Sequence, residues 1–400
     1  MKTLNLALLG SGFIATHYLS HLHDQRRFDK VKIVYGRTES KVKALAEQYR
    51  IDRYTTNMNE AIESPDIDMV IVGLPNHLHL DAVLACAKAG KPVLVTKPLG
   101  RNADEALQML KAVEEAGIFH GYLEDLAYTP KTQKALQAVK NGTLGDILWV
   151  RSREAHPGPH SEWFWNKELA GGGAIIDLGC HCVEIARNYI GKDIKPVEVM
   201  CWADTQVKPI DAEDNAIALV KYENGAIGQF EVSWAFRGGL DLRDELQGTA
   251  GTVWINHFLR TGLEMFTAAN ETGYSAEKAD SNTGWLFPVG DEMSVLGYVQ
   301  MFNDMFTAFL EKKEPFESFY DGYIVNAILD ACYASAASKK WEPVNLEVWR
   351  GRNNVTSVKT IREYDENHYF IKQEQLMDGT IKLILKDKAT HEIKEKIIKE

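Results

Sequence analysis

The chain has 400 residues, of which 45% are hydrophobic and 25% charged, and its formal net charge is −11. This length is too great for one compact core and indicates two or three domains, while the acidic balance argues against nucleic acid or an anionic membrane as a partner. Five scattered cysteines do not form a disulfide framework and indicate a reducing compartment. Because no apolar run is long enough for a secretory leader or a membrane span, the sequence predicts a cytoplasmic protein.

The N-terminal segment predicts a turn that binds a dinucleotide. Residues 4–9 are a short apolar run, followed by GSGFIA and an amphipathic segment. A strand, a tight glycine turn and a helix allow backbone amides and a helix N-terminus to hold a pyrophosphate. Gly10 permits the turn, Gly12 permits close approach, and Phe13 and Ile14 begin the helix beside the cofactor. The alternative is an ordinary turn between a strand and a helix.

The end of the second predicted strand bears on the choice of cofactor. NAD-binding versions of this turn usually place a carboxylate there for the ribose hydroxyls, but this chain has Gly36. The glycine leaves room for a 2′-phosphate, and Arg37, Thr38 and Lys41 are placed to bind it, which favours NADP. An arginine at this position can also stack on adenine or remain solvated, so the choice between NAD and NADP stays open.

Two further strands end in polar residues that we expect near the cofactor. Residues 68–73 form a buried strand followed by Pro75, Asn76 and His79, and loops after strand ends face the cofactor crevice in a doubly wound sheet. Residues 92–95 form another strand, and Lys97 after it is suited to stabilise a developing alkoxide. A loop histidine and a strand-end lysine are also compatible with simple exposure.

The alternation of strands and helices up to residue 126 predicts a parallel sheet and a dinucleotide-binding domain over residues 1–126. After residue 126 the pattern of predicted elements changes, and residues 127–350 are predicted to form a second domain, which binds the substrate. A strand at 147–153 leads into EAHPGPHSEWFW, whose aromatic and imidazole groups suit a sugar ring. The predicted substrate contacts are Glu124, Tyr128, Arg153, His156, His160, Trp163 and Trp165. A rigid aromatic plug at a domain junction is the alternative.

The stretch GGGAIIDLGCHCVE, residues 171–184, carries the strongest chemical pattern. Its three glycines allow the backbone to approach a ligand or to adopt unusual dihedral angles. Asp177 and His181 are four residues apart, so on a helix they share one face, and a carboxylate can orient an imidazole for proton transfer. An ordinary capped helix with satisfied polar groups is the alternative. Cys180 and Cys182 flank the histidine without a second pair at ligand spacing, so we predict no metal site.

The remainder of the chain predicts mainly strands. Successive strand patterns between residues 197 and 255 indicate an antiparallel sheet and an α+β second domain. Residues 260–292 are rich in Asn, Thr, Gly and Ser and predict a long loop over the site. Residues 369–376 and 381–385 predict a β-hairpin within an extension that covers residues 351–400, and the last residues predict a charged tail.

With GSGFIA, Thr96-Lys97-Pro98, the glycine triplet and Asp177-x-x-x-His181 in this order, the chain resembles the Gfo/Idh/MocA oxidoreductases over about residues 3–345. The resemblance implies a Rossmann domain followed by a large open, mostly antiparallel sheet, whose free face often builds dimers or tetramers. It assigns a catalytic role to Lys97, acid/base chemistry to His181 and the role of its orienter to Asp177. Thr96 departs from the family's usual glutamate.

The predicted function is therefore an NAD(P)-dependent oxidoreductase that oxidises a secondary ring hydroxyl of a sugar, glycoside or cyclitol. His181 takes the hydroxyl proton and the nicotinamide takes the hydride. The resemblance also admits enzymes that oxidise the ring transiently, cleave a glycosidic bond and reduce the ring again, which leave no net reduced cofactor. A dinucleotide-sensing regulator without enzymatic activity is the third alternative.

Overall fold

The computed structural model describes residues 3–22, 29–259, 263–268, 276, 278–279, 283–358 and 361–398. The described residues through Asn354 form one compact unit, and those from Val355 onward form a second. The division of the first unit near residue 126 remains a prediction, although the chain passes from one sheet to another shortly after it.

A six-stranded parallel sheet forms the N-terminal half of the first unit, with strand order β3-β2-β1-β4-β5-β6. Its strands are β1 Asn5–Leu9, β2 Lys30–Tyr35, β3 Arg53–Thr55, β4 Met69–Val72, β5 Val93–Thr96 and β6 His120–Leu123. Its helices are α1 Phe13–Ser20, α2 Glu39–Tyr49, α3 Met58–Glu63, α4 His79–Ala89 and α5 Ala103–Glu115. Every residue of β4 and β5 is buried, as expected of parallel strands covered on both faces.

The strand order reverses between β1 and β4, where a doubly wound sheet opens a crevice at its carboxyl edge. The loops after β1, β4 and β5 meet at this edge. They carry Gly10, Asn76 and Lys97, which the chain brings together from positions far apart in sequence. The sheet thus positions one wall of the site.

A seven-stranded sheet forms the second half, with order β12-β11-β7-β10-β9-β8-β15. Its strands are β7 Ile147–Ala155, β8 Pro196–Asp204, β9 Asn215–Tyr222, β10 Ile227–Ser233, β11 Asp241–Gly248, β12 Thr252–Asn256 and β15 Glu342–Pro343. All neighbouring pairs are antiparallel except β7 and β10, so the sheet is mostly antiparallel, as the resemblance implies. The helices are α6 Pro130–Lys140, α7 Lys167–Ala170, α8 Cys180–Ile190, α9 Glu292–Val295, α10 Tyr298–Glu311 and α11 Phe319–Ser338.

The two faces of this sheet differ. Helix α8 packs on β7 and β10, and α11 packs on β8, so these helices cover one face. The opposite face carries exposed apolar side chains, among them Trp202, Ile217 and Trp254. Strand β9 shows the alternation directly, with Ala216, Ala218 and Val220 buried between its more exposed neighbours.

The glycine triplet is packed against protein. Gly171 ends α7 with φ +92°. A Cβ on Gly172 would lie 1.8 Å from the Tyr333 hydroxyl oxygen, and one on Gly173 would lie 2.0 Å from the Glu213 carbonyl oxygen. The close approach that these glycines allow is therefore made to neighbouring parts of the fold. Of the two predicted alternatives, approach to a ligand or unusual dihedral angles, Gly171 shows the second.

The segment after the triplet begins with a wide turn. Residues Ile175–Gly179 form a π-helix that leads directly into α8. Such turns free backbone carbonyl groups from the regular hydrogen-bond ladder. The stretch Lys167–Ile190 is long and apolar enough to cross a membrane by composition, but it is mostly buried inside the protein, as core helices are.

Residues 260–292 contain β13 Met265–Thr267 and β14 Gly284–Leu286, which pair antiparallel. Residues 260–262, 269–275, 277 and 280–282 of the predicted loop lie outside the described residues. In the second unit, β16 His368–Gln375 and β17 Ile381–Asp387 form the predicted hairpin. A third strand, β18 Ile393–Ile398, pairs with β17, so the predicted tail is instead a strand.

Candidate active site

A cavity of about 860 Å³ opens at the carboxyl edge of the first sheet, and the second sheet and α8 close its far side. This volume falls within the usual range for small-molecule sites. Most residues predicted to contact cofactor or substrate line it: Gly10, Gly12, Phe13, Ile14, Arg37, Thr38, Lys41, Pro75, Asn76, Lys97, His156, His160, Trp163, Asp177 and His181. The other predicted residues do not line it, and these are His79, Glu124, Tyr128, Arg153 and Trp165.

The glycine turn after β1 has the space that a pyrophosphate needs. Gly10 has φ +129°, and a Cβ there would lie 2.2 Å from the Gly73 carbonyl oxygen. Gly12 is the N-cap of α1, has no side chain to cap the helix, and would place a Cβ in open space. Uncapped amides at the start of a helix attract anions, so the residues present fit a dinucleotide phosphate.

Lys97 and Asp177 form an ion pair that joins the two halves of the unit. The Lys97 ammonium lies 2.9 Å from Asp177 Oδ1 and 2.8 Å from the Asp177 backbone oxygen, while Trp234 Nε1 donates to Oδ2 at 3.0 Å. Burial acts to lower the pKa of Lys97, but the Asp177 carboxylate outweighs it and the pKa lies well above its ordinary value. Burial acts to raise the pKa of Asp177, but Lys97 lowers it to about 2. Both groups are therefore charged.

His181 is held by Glu124. Its Nδ1 lies 2.5 Å from Glu124 Oε1, and both side chains are buried. Burial raises the pKa of Glu124 to about 8, whereas burial and the Lys97 charge lower the pKa of His181. With Nδ1 engaged on the carboxylate, the Nε2 atom is left for the cavity that His181 lines.

Two predicted roles in this region are thereby corrected. Asp177 does not orient His181, because both of its carboxylate oxygens are held by Lys97 and Trp234. Glu124 does not face the substrate space, because it is fully buried behind the histidine. The spacing of four residues predicted that Asp177 and His181 share a helix face. It could not show that residues from distant strands would bind Asp177 instead.

Two other predicted substrate contacts, Arg153 and Tyr128, bind protein groups outside the cavity. Arg153 occupies the face of β7 opposite Glu154 and bonds Glu231 and Asp241. The Tyr128 hydroxyl donates to Asp304 at 2.8 Å.

The other two predicted residues outside the cavity lining, His79 and Trp165, contact other parts of the protein. His79 is fully buried, with Nε2 2.8 Å from the Leu74 carbonyl oxygen and Nδ1 3.1 Å from those of Pro98 and Leu99. It therefore fixes the loops after β4 and β5 from behind. Trp165 packs edge-on against Trp234 outside the cavity lining.

Asp125 and Glu154 also line the cavity, although neither was among the predicted site residues. Burial raises the pKa of each to about 7. Glu154 was discoverable, since side chains alternate along a strand and it is the neighbour of the residue we chose on β7. Asp125 follows Glu124 in the same turn, and only the fold decides which of the two faces the cavity.

Glu124, Cys180 and His181 place potential ligand atoms within 4.8 Å of one another. The Cys180 thiol donates to the Asp177 carbonyl oxygen at 3.2 Å, and burial raises its pKa well above the ordinary value. Metal ligation needs a thiolate, so this group suits hydrogen bonding better than metal binding.

Family comparisons agree with this architecture. Residues 4–121 match the oxidoreductase family with the NAD-binding Rossmann fold, and residues 132–254 match the GFO/IDH/MocA C-terminal domain. The chain belongs to the Gfo/Idh/MocA oxidoreductase family, and its relatives include sugar and cyclitol dehydrogenases.

Individual relatives match most of the chain. Levoglucosan dehydrogenase of Pseudarthrobacter phenanthrenivorans is 26% identical over 386 residues, covering 86% of this chain and 99% of the relative. Myo-inositol 2-dehydrogenase of Thermotoga maritima is 25% identical over 279 residues, covering 68% and 80%. The crystal structure of GenD2 from gentamicin A biosynthesis in complex with NAD is 30% identical, with a TM-score of 0.81 and coverage of 86% and 97%. Levoglucosan dehydrogenase in complex with NADH is 25% identical, with a TM-score of 0.72.

The open space at Gly12 yields a first prediction. Gly12→Ala should leave the melting temperature within about 1–2 °C, because the added methyl group meets no protein atom within 4 Å. It should weaken dinucleotide binding at least tenfold, by about 1.4 kcal/mol or more, since the methyl group occupies the space of the pyrophosphate. Calorimetric titration with NADH measures the affinity.

Gly10→Ala is the contrasting variant. Its methyl group would collide with the Gly73 carbonyl oxygen, so it should destabilise the fold itself. Unchanged NADH affinity in Gly12→Ala would remove the pyrophosphate assignment.

The buried carboxylate on β7 yields a second prediction. Because the pKa of Glu154 is raised from 4.5 to about 7, the native state keeps a proton that the unfolded state releases between these values. Stability is therefore lost as pH rises through this window. Glu154→Gln removes the loss, so in dinucleotide-free protein it should stabilise by roughly 1–3 kcal/mol more at about pH 8 than at about pH 5.

Thermal unfolding followed by circular dichroism at both pH values measures this difference. Glu311→Gln, at an exposed position at the end of α10, is the control and should shift the melting temperature equally at both. An equal shift for Glu154→Gln as well would contradict the prediction.

Proposed function

We propose that this oxidoreductase uses a nicotinamide dinucleotide to oxidise a secondary ring hydroxyl of a sugar, glycoside or cyclitol. The observation that supports it best is a single cavity lined both by the glycine turn after β1 and by Lys97, Asp177 and His181. The names of the relatives, which include levoglucosan, inositol and xylose dehydrogenases, agree with this substrate class.

Separate side chains of the protein carry separate steps of the proposed reaction. When bound, the nicotinamide supplies the acceptor for the hydride. His181 receives the hydroxyl proton at Nε2, and Glu124 holds the imidazole by Nδ1. The Lys97 ammonium, fixed by Asp177, stabilises negative charge on the substrate oxygen. The polar groups stand on three separate segments, so the substrate is oriented before proton transfer.

The histidine and its glutamate titrate as a pair, and only one of its forms is an effective base. While the pair holds an extra proton, either Glu124 is neutral or the imidazole is cationic, and Nε2 carries hydrogen in both cases. Loss of that proton leaves an ionised Glu124, a hydrogen on Nδ1 and a free lone pair on Nε2. Because burial raises the pKa of Glu124 to about 8, the base-competent form accumulates as pH rises through this value.

The third prediction follows from this pairing. Oxidation by the unaltered protein should rise with pH through about 8, the value to which burial raises the pKa of Glu124. In Glu124→Gln the rise in oxidation should occur at a pH below the ordinary pKa of histidine, because burial lowers the pKa of His181 itself.

Lys97→Ala and His181→Ala should lower kcat by about a hundredfold or more, while NADH affinity changes little.

The measurement is the pH dependence of kcat with the best substrate from a screen of levoglucosan, D-xylose, inositols and glycosides. Glu311→Gln serves as the control for loss of a remote carboxylate. An unmoved pH profile in Glu124→Gln would remove the pairing role, and near-normal turnover in His181→Ala would remove the base assignment. The same assay identifies the reaction class: an oxo-sugar with net reduced cofactor supports a dehydrogenase, whereas a cleaved glycoside without net reduction supports the redox-assisted hydrolase.

The cofactor is held at the adenosine end by residues that permit either dinucleotide. Arg37, Thr38 and Lys41 line this end, and the carboxylate that would repel a 2′-phosphate is replaced by Gly36. The family match and the NAD-bound relatives support NAD. We propose that NAD binds and that NADP is also accepted.

The fourth prediction tests this proposal. Arg37→Ala should weaken NADPH by about tenfold, through loss of one charge-assisted contact, and should change NADH by less than about threefold. Nicotinamide fluorescence titration gives both dissociation constants, and Lys43→Ala on the exposed side of α2 is the control. Equal losses for the two dinucleotides would place the arginine on the adenine instead.

We also propose that the protein forms a homo-oligomer and is cytoplasmic. The open face of the second sheet, with exposed Trp202, Ile217 and Trp254, supports a homo-oligomer built through this face. The five cysteines are free and buried, which supports a reducing, cytoplasmic environment.

A further inference from the structure

Asp125 and Glu154 reach the cavity from different elements, the turn after β6 and the end of β7. Their residues are only 6% and 7% exposed, and both line the cavity together with Lys97 and His181. Within the described part of the chain neither carboxylate forms an ion pair, and Glu154 Oε2 has no hydrogen-bond partner. Buried carboxylates are costly unless they are paired, so these two groups point to a ligand that pairs with them.

The charges already present do not satisfy them. Lys97 is held by both the carboxylate and the carbonyl group of Asp177. Lys278, also at this end of the cavity, donates to the Gly158 carbonyl oxygen at 3.3 Å and acts on Asp177. The substrate end of the cavity therefore has two carboxyl groups beyond its internal ion pair, and they become anionic as pH rises through about 7.

We propose that the substrate is an amino sugar or amino cyclitol, whose ammonium group is bound by Asp125 and Glu154. This inference rests on the proposed function and narrows its substrate class. A ring hydroxyl can donate one hydrogen bond to a carboxylate, but it leaves the buried negative charge in place. An ammonium group donates up to three hydrogen bonds and also compensates charge, so it meets both requirements.

The protonation of the two carboxylates gives the proposal a pH signature. Burial raises the pKa of each to about 7. An ammonium ion binds the ionised forms, so preference for the amino substrate grows as pH rises through about 7, for those amines that stay protonated at the higher pH. The charged and titratable groups that face both are His181, Lys97 and Glu124. Asp125 also faces Tyr18, and Glu154 also faces Asp177, Cys180 and Cys182.

A competing role for the same carboxylates is to stabilise the protonated His181, which faces both of them. The two roles differ in what they discriminate. Support of the histidine would affect every substrate alike and would appear in kcat. An ammonium subsite would affect only the amino member of a substrate pair, mainly through KM.

The experiment compares matched substrates with NAD. The pairs are D-glucose with its 2-, 3- and 6-amino derivatives, D-galactose with D-galactosamine, and scyllo-inositol with scyllo-inosamine. N-acetyl-D-glucosamine serves as the uncharged amide. Values of kcat and KM are measured at about pH 6 and about pH 8 for the unaltered protein, Asp125→Asn, Glu154→Gln and the exposed control Glu311→Gln. Melting temperatures establish that each variant is folded.

We expect kcat/KM to favour at least one amino member over its hydroxyl partner by tenfold or more, and more strongly at the higher pH. Asp125→Asn and Glu154→Gln should each reduce that preference several-fold through KM, and the acetylated sugar should show none. Glu311→Gln should keep the full preference.

Two different failures remain distinguishable. If hydroxyl sugars are oxidised as well as or better than every amino partner, or if the two variants lower kcat equally for both members, the ammonium subsite is wrong while the dehydrogenase assignment stands. If no member of any pair yields reduced cofactor, the proposed function itself fails.

Discussion

The contact between the Lys97 ammonium and Asp177 is the interaction on which the rest of the site depends. Two charges are removed from most of the solvent, and their separation of 2.9 Å offsets the loss of hydration only because the remaining oxygen of Asp177 accepts from Trp234. The wide helical turn adds the Asp177 carbonyl group as a second acceptor for the same ammonium. Loss of either partner would leave a buried charge uncompensated, which typically costs about 3–5 kcal/mol.

Once Asp177 is engaged in this way, the histidine needs a different partner, and the first half of the unit supplies it. Lys97 comes from the end of β5 and meets a carboxylate from the second half, whereas His181 comes from the second half and meets Glu124 after β6. Each half therefore supplies one basic group and one carboxylate to the other. The reacting groups acquire their protonation states only when the halves are docked, so fold and chemistry are coupled through the same two contacts.

Local patterns in the sequence predicted the secondary-structure elements well. Side-chain contacts were harder to predict, because residues far away in the chain compete for the same partner. The apolar run, glycine turn and helix around Gly10 depend on neighbouring residues alone, and the individual strands of the two sheets were predicted from local patterns of the same kind. The partner of Asp177 depended on Lys97 and Trp234, which are far away in the chain. On β7 a displacement of one position exchanged Glu154 for Arg153, because successive side chains point to opposite faces and composition does not say which face is covered.

A second cluster of charged groups fixes the position of the helix that carries His181. Glu184, Glu317 and Asp321 place their carboxylate oxygens at the spacing of metal ligands, but the Lys192 ammonium lies 3.3, 2.8 and 3.2 Å from them and supplies the cation from within the chain. The cluster joins the turn of α8 after the histidine to the start of α11, and the backbone oxygen of Glu317 accepts from the amide of Tyr122 on β6. Since the glutamate that holds the imidazole follows β6 directly, this network fixes both members of the pair to one rigid body. A short hydrogen bond between two separate elements can persist only if the elements cannot slide, and the ion pairs of the half-buried Lys192 provide that constraint.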